Sequence, residues 1–207
     1  FTLKDGRLHA NGLLNKHVKL ADGSEAELMS LGREPGDATA QRYAELLARG
    51  GGGAYAAFTA SQAAVLAAAE EAGVAAEPTR FEATGYVTLA GPGLEAVFFF
   101  ETEVTALDPD SLLTHANGAA GLTQAWVEGG EGLGRLLGAL GGIACGAVRL
   151  PDGREARVFG VANGSVVVAP PGAGRARLLG ASLAGSGEGE GEEGGGEERP
   201  GGDERVA

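Results

Sequence analysis

Short apolar and polar stretches alternate at the start of the chain and are separated by Asp-Gly or Asn-Gly pairs. These pairs lie at 5–6, 11–12 and 22–23. Both dipeptides accept the positive φ that a tight hairpin turn requires. The first 31 residues are therefore predicted to form a β-hairpin or a meander.

Two later segments change to the spacing of amphipathic helices. In the first, Asp37 is placed as an N-cap and glycines from Gly50 onward end the apolar pattern. In the second, Thr59 and Gln62 have the spacing of a capping box, and an alanine-rich run follows up to Gly73. Two short helices are predicted.

Strict alternation returns in the segment 81–104. Apolar and polar residues alternate over 81–89, and the sequence AGPG at 90–93 is typical of a turn. The returning strand carries Phe98, Phe99 and Phe100, so that both of its faces are apolar, as in a central strand covered on each side. This segment is predicted to be a β-hairpin.

The second half of the chain is predicted to contain two helices and three strands. Asp108 and Pro109 have the residue types of an N-cap and a first helical position, and the helix is predicted to continue to Trp126. A shorter helix is predicted at 131–140. Extended segments follow, separated by Pro-Asp-Gly and Asn-Gly turns, at 143–150, 155–162 and 165–169.

The segment VKLADGSEAELMSLG at 18–32 resembles VRLPDGREARVFGVA at 148–162. Two interpretations stay open: a duplicated unit whose second copy is incomplete, or two unrelated hairpins that share a turn. We predict an α+β protein with an antiparallel sheet and helices, in one compact body or in two pseudo-repeated lobes. The predicted division is 1–106, 107–180 and a disordered Gly/Glu-rich tail at 181–207.

The charge distribution argues against nucleic-acid binding. The chain of 207 residues has 28 acidic and 16 basic residues, a formal net charge of −12. The segment 188–207 holds eight acids and two arginines, so it supplies −6 of that charge and the remainder of the chain supplies the other −6. Neither part has the basic stripe that neutralises a phosphate backbone.

The single cysteine and the hydropathy of the chain further limit the class of protein to which it can belong. Cys145 has no intramolecular disulfide partner and lies in an apolar run, where a buried, inert thiol is expected. No apolar run reaches the 18 residues or more of a membrane span. The sequence starts at Phe1 rather than Met, so a fragment or a processed product is compatible. A cytoplasmic protein is expected.

Two parts of the sequence resemble the roadblock/dynein light chain superfamily. The first combines the opening hairpin and an alanine-rich helix with GYVTLAGPGLEAVFFF at 85–100, and the second is LGRLLGALGGIACGAVRLPDGREARVFG at 133–160. The resemblance covers about residues 1–106 and 131–169. It implies small α/β domains with a central antiparallel sheet, acting as dimeric scaffolds or regulators rather than as catalysts.

Few residues have the pattern of a chemical site. His9, His17 and His115 have no second His or Cys at metal-ligand spacing, so neither a metal nor a cofactor is predicted. Glycine-rich segments lack the order of a phosphate-binding loop. If 108–126 is helical, Ser111 and His115 share a face, with Asp110 beside them. These three residues are the candidate catalytic group.

Two functions follow from these observations. The favoured one is a non-enzymatic scaffold or regulatory protein-interaction module, dimeric, with a protein partner or a second copy of itself as its ligand. The alternative is a small-molecule-binding domain or an enzyme with a site between the lobes, near the segment 110–117.

Overall fold

The computed structural model describes residues 1–81, 84–101, 108–172 and 177–185. Within these ranges the chain forms sheets of three, four and five strands together with four helices. Most neighbouring strands are antiparallel. The fold class is α+β, as the sequence predicts.

The first sheet is a meander of β1 (Lys4–Leu8), β2 (Leu13–Lys19) and β3 (Glu25–Leu31), in that order. In the turn between β2 and β3, Gly23 has φ of +83°, which glycine adopts without a steric penalty. The predicted meander is confirmed.

The helix that follows is α1 (Ala38–Ala48). The Asp37 carboxylate accepts a hydrogen bond from the backbone N–H of Ala40 at 2.7 Å, which satisfies one of the amides that a first helical turn leaves unpaired. The predicted Asp37 cap is confirmed, and α1 packs against β3.

The second predicted helix is α2 (Gln62–Ala72), which ends at the left-handed Gly73. Its N-cap is Ser61, whose hydroxyl accepts from the N–H of Ala64 at 3.3 Å. The predicted capping box at Thr59 is wrong, because Thr59 is the last residue of a short strand.

This helix belongs to a unit with one strand before it and three after it. The strands are β4 (Ala56–Thr59), β5 (Ala75–Phe81), β6 (Thr84–Ala90) and β7 (Val97–Phe100), in the spatial order β4-β7-β6-β5. β4 is parallel to β7, and the other pairs are antiparallel. The hairpin predicted over 81–104 is confirmed for β6 and β7, whereas 82–83 and 102–104 lie outside the described residues.

A second unit repeats this plan and adds one strand. Its elements are β8 (Ala119–Glu128), α4 (Glu131–Ala139), β9 (Ile143–Arg149), β10 (Glu155–Val161), β11 (Gly164–Ala169) and the additional β12 (Leu178–Gly185). The order in the sheet is β12-β8-β11-β10-β9, with β8 parallel to β11. The helix predicted at 131–140 and the three strands predicted after it are confirmed.

The structural repeat therefore relates residues 56–100 to residues 119–169. In each copy a strand enters a helix, and the last of three antiparallel strands returns to lie parallel beside the first. The segments 18–32 and 148–162 both form hairpins, but the first lies in the three-stranded sheet and the second in the five-stranded sheet. The sequence similarity thus marks two hairpins with different positions in the fold.

The two repeats share one apolar core. Arg135 Nε on α4 donates to the carbonyl of Ala72 on α2 at 3.0 Å, which joins the two helices. The burial of apolar side chains in this core supplies most of the stabilisation of the fold, since the cysteine, Cys145, is free. The core combines the first copy's Val65, Ala69, Val87, Val97 and Phe99 with the second copy's Val127, Leu133, Leu136, Phe159 and Val166.

The helix predicted from Asp108 to Trp126 is wrong. A single turn, α3 (Asp110–Leu113), has Pro109 at its N-cap position and no side-chain cap, and Gly118 then has φ of +69°. Trp126 lies on β8 in register between Val167 and Gly180. β8 is extended because it pairs with a strand on each side. Its own alanines and glycines show neither the spacing of a helix nor the alternation of a strand clearly.

The tail predicted to begin at residue 181 starts too early. Residues 181–185 belong to β12, and each of them pairs with a residue of β8. A strand without charged residues is stabilised by that pairing, although its own apolar pattern is weak. Residues 186–207 lie outside the described ranges.

Candidate functional site

His115, the candidate catalytic histidine, is buried and held by backbone atoms. His115 is 5% exposed, and its Nδ1 accepts from the backbone N–H of Thr2 at 3.1 Å. Its Nε2 lies 2.8 Å from the carbonyl oxygen of Lys19. Because Nδ1 accepts, Nε2 carries the proton and donates to Lys19. Both ring nitrogens are thus engaged with backbone atoms.

Ser111 does not join His115. α3 ends at Leu113 and Thr114 has an extended backbone, so the helical spacing that would have placed Ser111 beside His115 is absent. The prediction that these two residues share a helical face is wrong. Asp110 and His115 both line a shallow depression of about 340 Å³ near Ala119, but Ser111 is not part of its lining.

We expect His115→Ala to lower the free energy of unfolding by about 2 kcal/mol, because it removes two hydrogen bonds and a buried ring. Ser111→Ala, at an exposed position of the same segment, is the matched control and should change it by less than about 0.5 kcal/mol. Urea denaturation of both variants measures the difference. Equal stabilities would contradict the structural role assigned to His115.

A charged network lies close to His115 on the three-stranded sheet. Lys4 contacts Asp108, and Lys19 contacts Glu25 and lies 4.0 Å from the second oxygen of Asp108. The hydrogen bond from Lys4 holds the pKa of Asp108 below its usual range. These ion pairs connect β1, β2 and β3 to the segment before α3, and they indicate a structural contact.

His17 belongs to the same network. Its Nδ1 lies 3.6 Å from a Glu25 oxygen, and burial lowers its pKa. Burial also lowers the pKa of Lys19. In the part of the chain that the structure describes, no group of three or more His, Cys, Asp or Glu side chains is arranged to hold a metal ion.

A buried carboxylate that the sequence did not single out lies at the end of β8. Glu128 is buried, and its two oxygens lie 3.7 Å from Arg154 Nη1 and 3.8 Å from Arg177 Nε. Its backbone N–H donates to the carbonyl of Arg177 at 2.9 Å. Arg177 therefore fixes the start of β12 to the end of β8, and Arg154 joins the start of β10 to the same carboxylate.

The two edge strands of the five-stranded sheet expose apolar side chains. On β9, Ile143 is 71% exposed, and on β12, Leu179 and Leu183 are 36% and 45% exposed. Neither 143–148 nor 178–185 contains a charged residue or a proline. Soluble proteins usually protect edge strands with such residues, so exposed edges of this composition favour pairing with another strand.

The edge strand β9 contains a β-bulge. In β9, Val158 of the neighbouring strand pairs with Gly146 and Phe159 pairs with Ala144, so Cys145 is the additional residue of a bulge. Gly146 has φ of +113°. Cys145 is exposed, which corrects the prediction of a buried thiol; at an edge strand an apolar run is not covered on both sides.

Comparison with known proteins gives a fold and no family. No protein-family model matches the chain, and no curated protein matches it. Among solved structures, it is similar to a hypothetical protein from Staphylococcus aureus at 12% sequence identity and a TM-score of 0.53, over 84% of this chain and 78% of that one. The resemblance to the roadblock/dynein light chain superfamily stays a prediction. Within the described ranges, no helix has the length and apolar character needed to cross a membrane.

Proposed function

We propose that this protein is a non-enzymatic scaffold or regulatory module that acts through protein contacts, and that it self-associates as a dimer. The observation that supports this most is the pair of edge strands with exposed Ile143, Leu179 and Leu183, which carry no charged residue over 143–148 and 178–185. An edge strand offers unpaired N–H and C=O groups to any strand that can align with it.

The environment of His115 favours this function over an enzyme. A general base needs a ring nitrogen that can reach a substrate proton, and here Nδ1 and Nε2 are used by Thr2 and Lys19. Ser111 is exposed and lies outside the depression that His115 lines. The resemblance drawn from the sequence likewise implies a dimeric scaffold or regulator, and a cytoplasmic location remains part of the proposal.

Light scattering coupled to size exclusion on the full chain tests the proposal. One copy has a mass of 20.6 kDa, and we expect a species of twice that mass. A double variant with Ile143→Lys and Leu183→Lys places a charge on each edge and should elute as one copy with an unchanged circular dichroism spectrum. A wild-type protein that stays at 20.6 kDa at every concentration would overturn the proposed dimer.

A further inference from the structure

The two edges of the five-stranded sheet are not equally suited to pair with a second copy. In β9, the bulge at Cys145 and the positive φ of Gly146 interrupt the line of backbone groups on the edge strand itself. β12 also has an additional residue of its own, Leu179, but at the start of the strand rather than in its middle. Between Gly180 and Gly185 its register shifts only because Thr123 and Ala120 of β8 are additional. β12 is therefore continuous over its last six residues, from 180 to 185.

The backbone groups of β12 that face outward can be assigned. The carbonyl of Ser182 accepts from Thr123 Oγ1 on β8 at 3.3 Å, so it faces the interior of the sheet. Because backbone groups of successive residues in a strand point to opposite neighbours, those of Ala181 and Leu183 face away from β8. These are the groups that a further strand would bind.

One contact limits where such a strand can lie. A Cβ at Gly53 would be 2.2 Å from the Leu178 carbonyl oxygen, so the backbone at Gly53 occupies the edge at the first residue of β12. Ala181 and Leu183 lie beyond that contact.

The charges that flank β12 favour a second copy in antiparallel orientation. Arg175 and Arg177 precede the strand in sequence, and Glu188, Glu190 and further acids follow it. Antiparallel pairing of two copies brings the cationic flank of each toward the acidic flank of the other. Parallel pairing would bring acid to acid, which costs free energy in a chain that already carries a net charge of −12.

We propose that β12 pairs antiparallel with β12 of a second copy, about a two-fold axis at Ser182, to form one sheet of ten strands. This inference rests on the proposed function and identifies the surface through which the two copies associate. In this register Ala181 lies opposite Leu183 of the second copy, so a small exposed side chain faces a large one on each side of the axis. Every residue from 180 to 184 finds a partner in the second copy, and this stretch lies beyond the contact at Gly53.

Cysteine crosslinking of the full chain tests the register. In a Cys145→Ala background, Ser182→Cys places two thiols across the axis at a Cα separation of about 4.5 Å, within the range that a disulfide spans. We expect a covalent dimer on mild oxidation. Ala184→Cys, on the same face of the same strand, is the matched control; its two copies would lie about 14 Å apart, and little crosslinking is expected.

Sedimentation of charge variants separates this inference from the proposed function. Leu183→Lys should raise the dimer Kd at least tenfold, and Ile143→Lys on β9 should leave it unchanged within about twofold. A dimer that Leu183→Lys leaves intact and that Ser182→Cys does not crosslink would overturn the β12 contact while the proposed function stands. A wild-type monomer would overturn both.

Discussion

Gly93→Ala is expected to lower the free energy of unfolding by about 3 kcal/mol or more, because two separate penalties combine at this position. Gly93 has φ of +80°, in the region that side chains with a Cβ rarely adopt. A Cβ added there would also be 2.4 Å from the backbone nitrogen of Gly130. Gly130 is the N-cap residue of α4, so the substitution forces apart the two repeats at their junction.

Gly23→Ala is the matched control for that variant. Gly23 has nearly the same φ, +83°, but a Cβ there would meet nothing within 4 Å. It should therefore lower the stability only by the backbone strain, about 1–2 kcal/mol. Urea denaturation gives the loss in free energy of unfolding for each variant, and the difference between the two losses is the cost of the close contact. Equal effects would show that the approach of Gly93 to Gly130 contributes nothing.

Leu136→Ala is the second substitution with a large expected effect. Leu136 is fully buried on α4, in the core that both repeats share. Removing its isobutyl group loses apolar burial and leaves a cavity, so the free energy of unfolding should fall by about 2–5 kcal/mol. The loss should appear in one cooperative transition, because one core holds both copies.

The control is Ile143→Ala, which removes a similar apolar volume from a side chain that is 71% exposed. In a protein kept monomeric by Leu183→Lys, we expect Ile143→Ala to change the free energy of unfolding by less than about 0.5 kcal/mol. Thermal unfolding followed by circular dichroism compares the two. Two separate transitions in Leu136→Ala would contradict a shared core.

Where the chain has strong local signals, the sequence was sufficient to predict the fold. The Asp37 cap, the Gly73 stop and the Asp-Gly turn at Gly23 each depend on contacts within a few residues, and all three are present. Such features are determined by backbone conformation and by side chains that reach their own helix or turn. Their formation does not depend on the remainder of the fold.

The errors arise where distant pairing decides the conformation. β4 has only four residues, and β8 is rich in alanine and glycine, so neither has a clear period. Each is extended because a distant strand lies parallel to it: β7 beside β4, and β11 beside β8. No local pattern encodes that pairing, and without β4 and β8 the repeat of strand, helix and three strands was not visible.

The candidate site shows the same limit. The pairing of Ser111 with His115 assumed a helix that ends after one turn, and the partners of His115 are backbone atoms of Thr2 and Lys19. Glu128 was missed because Arg154 and Arg177 reach it only in the folded sheet. The exposed edges were hidden for a related reason, since an apolar strand at an edge has the composition of one at the centre.

Hydrogen exchange at single amides, measured in dilute and in concentrated solutions of the full chain, tests the contact at the sheet edge most directly. If two copies pair through β12, exchange at Ala181 and Leu183 slows as the concentration rises, because those amides then donate across the interface. Exchange at Ala144 and Ala147 on β9 stays the same. Rates at Ala181 and Leu183 that do not depend on concentration, in a protein whose mass shows two copies, would contradict this account.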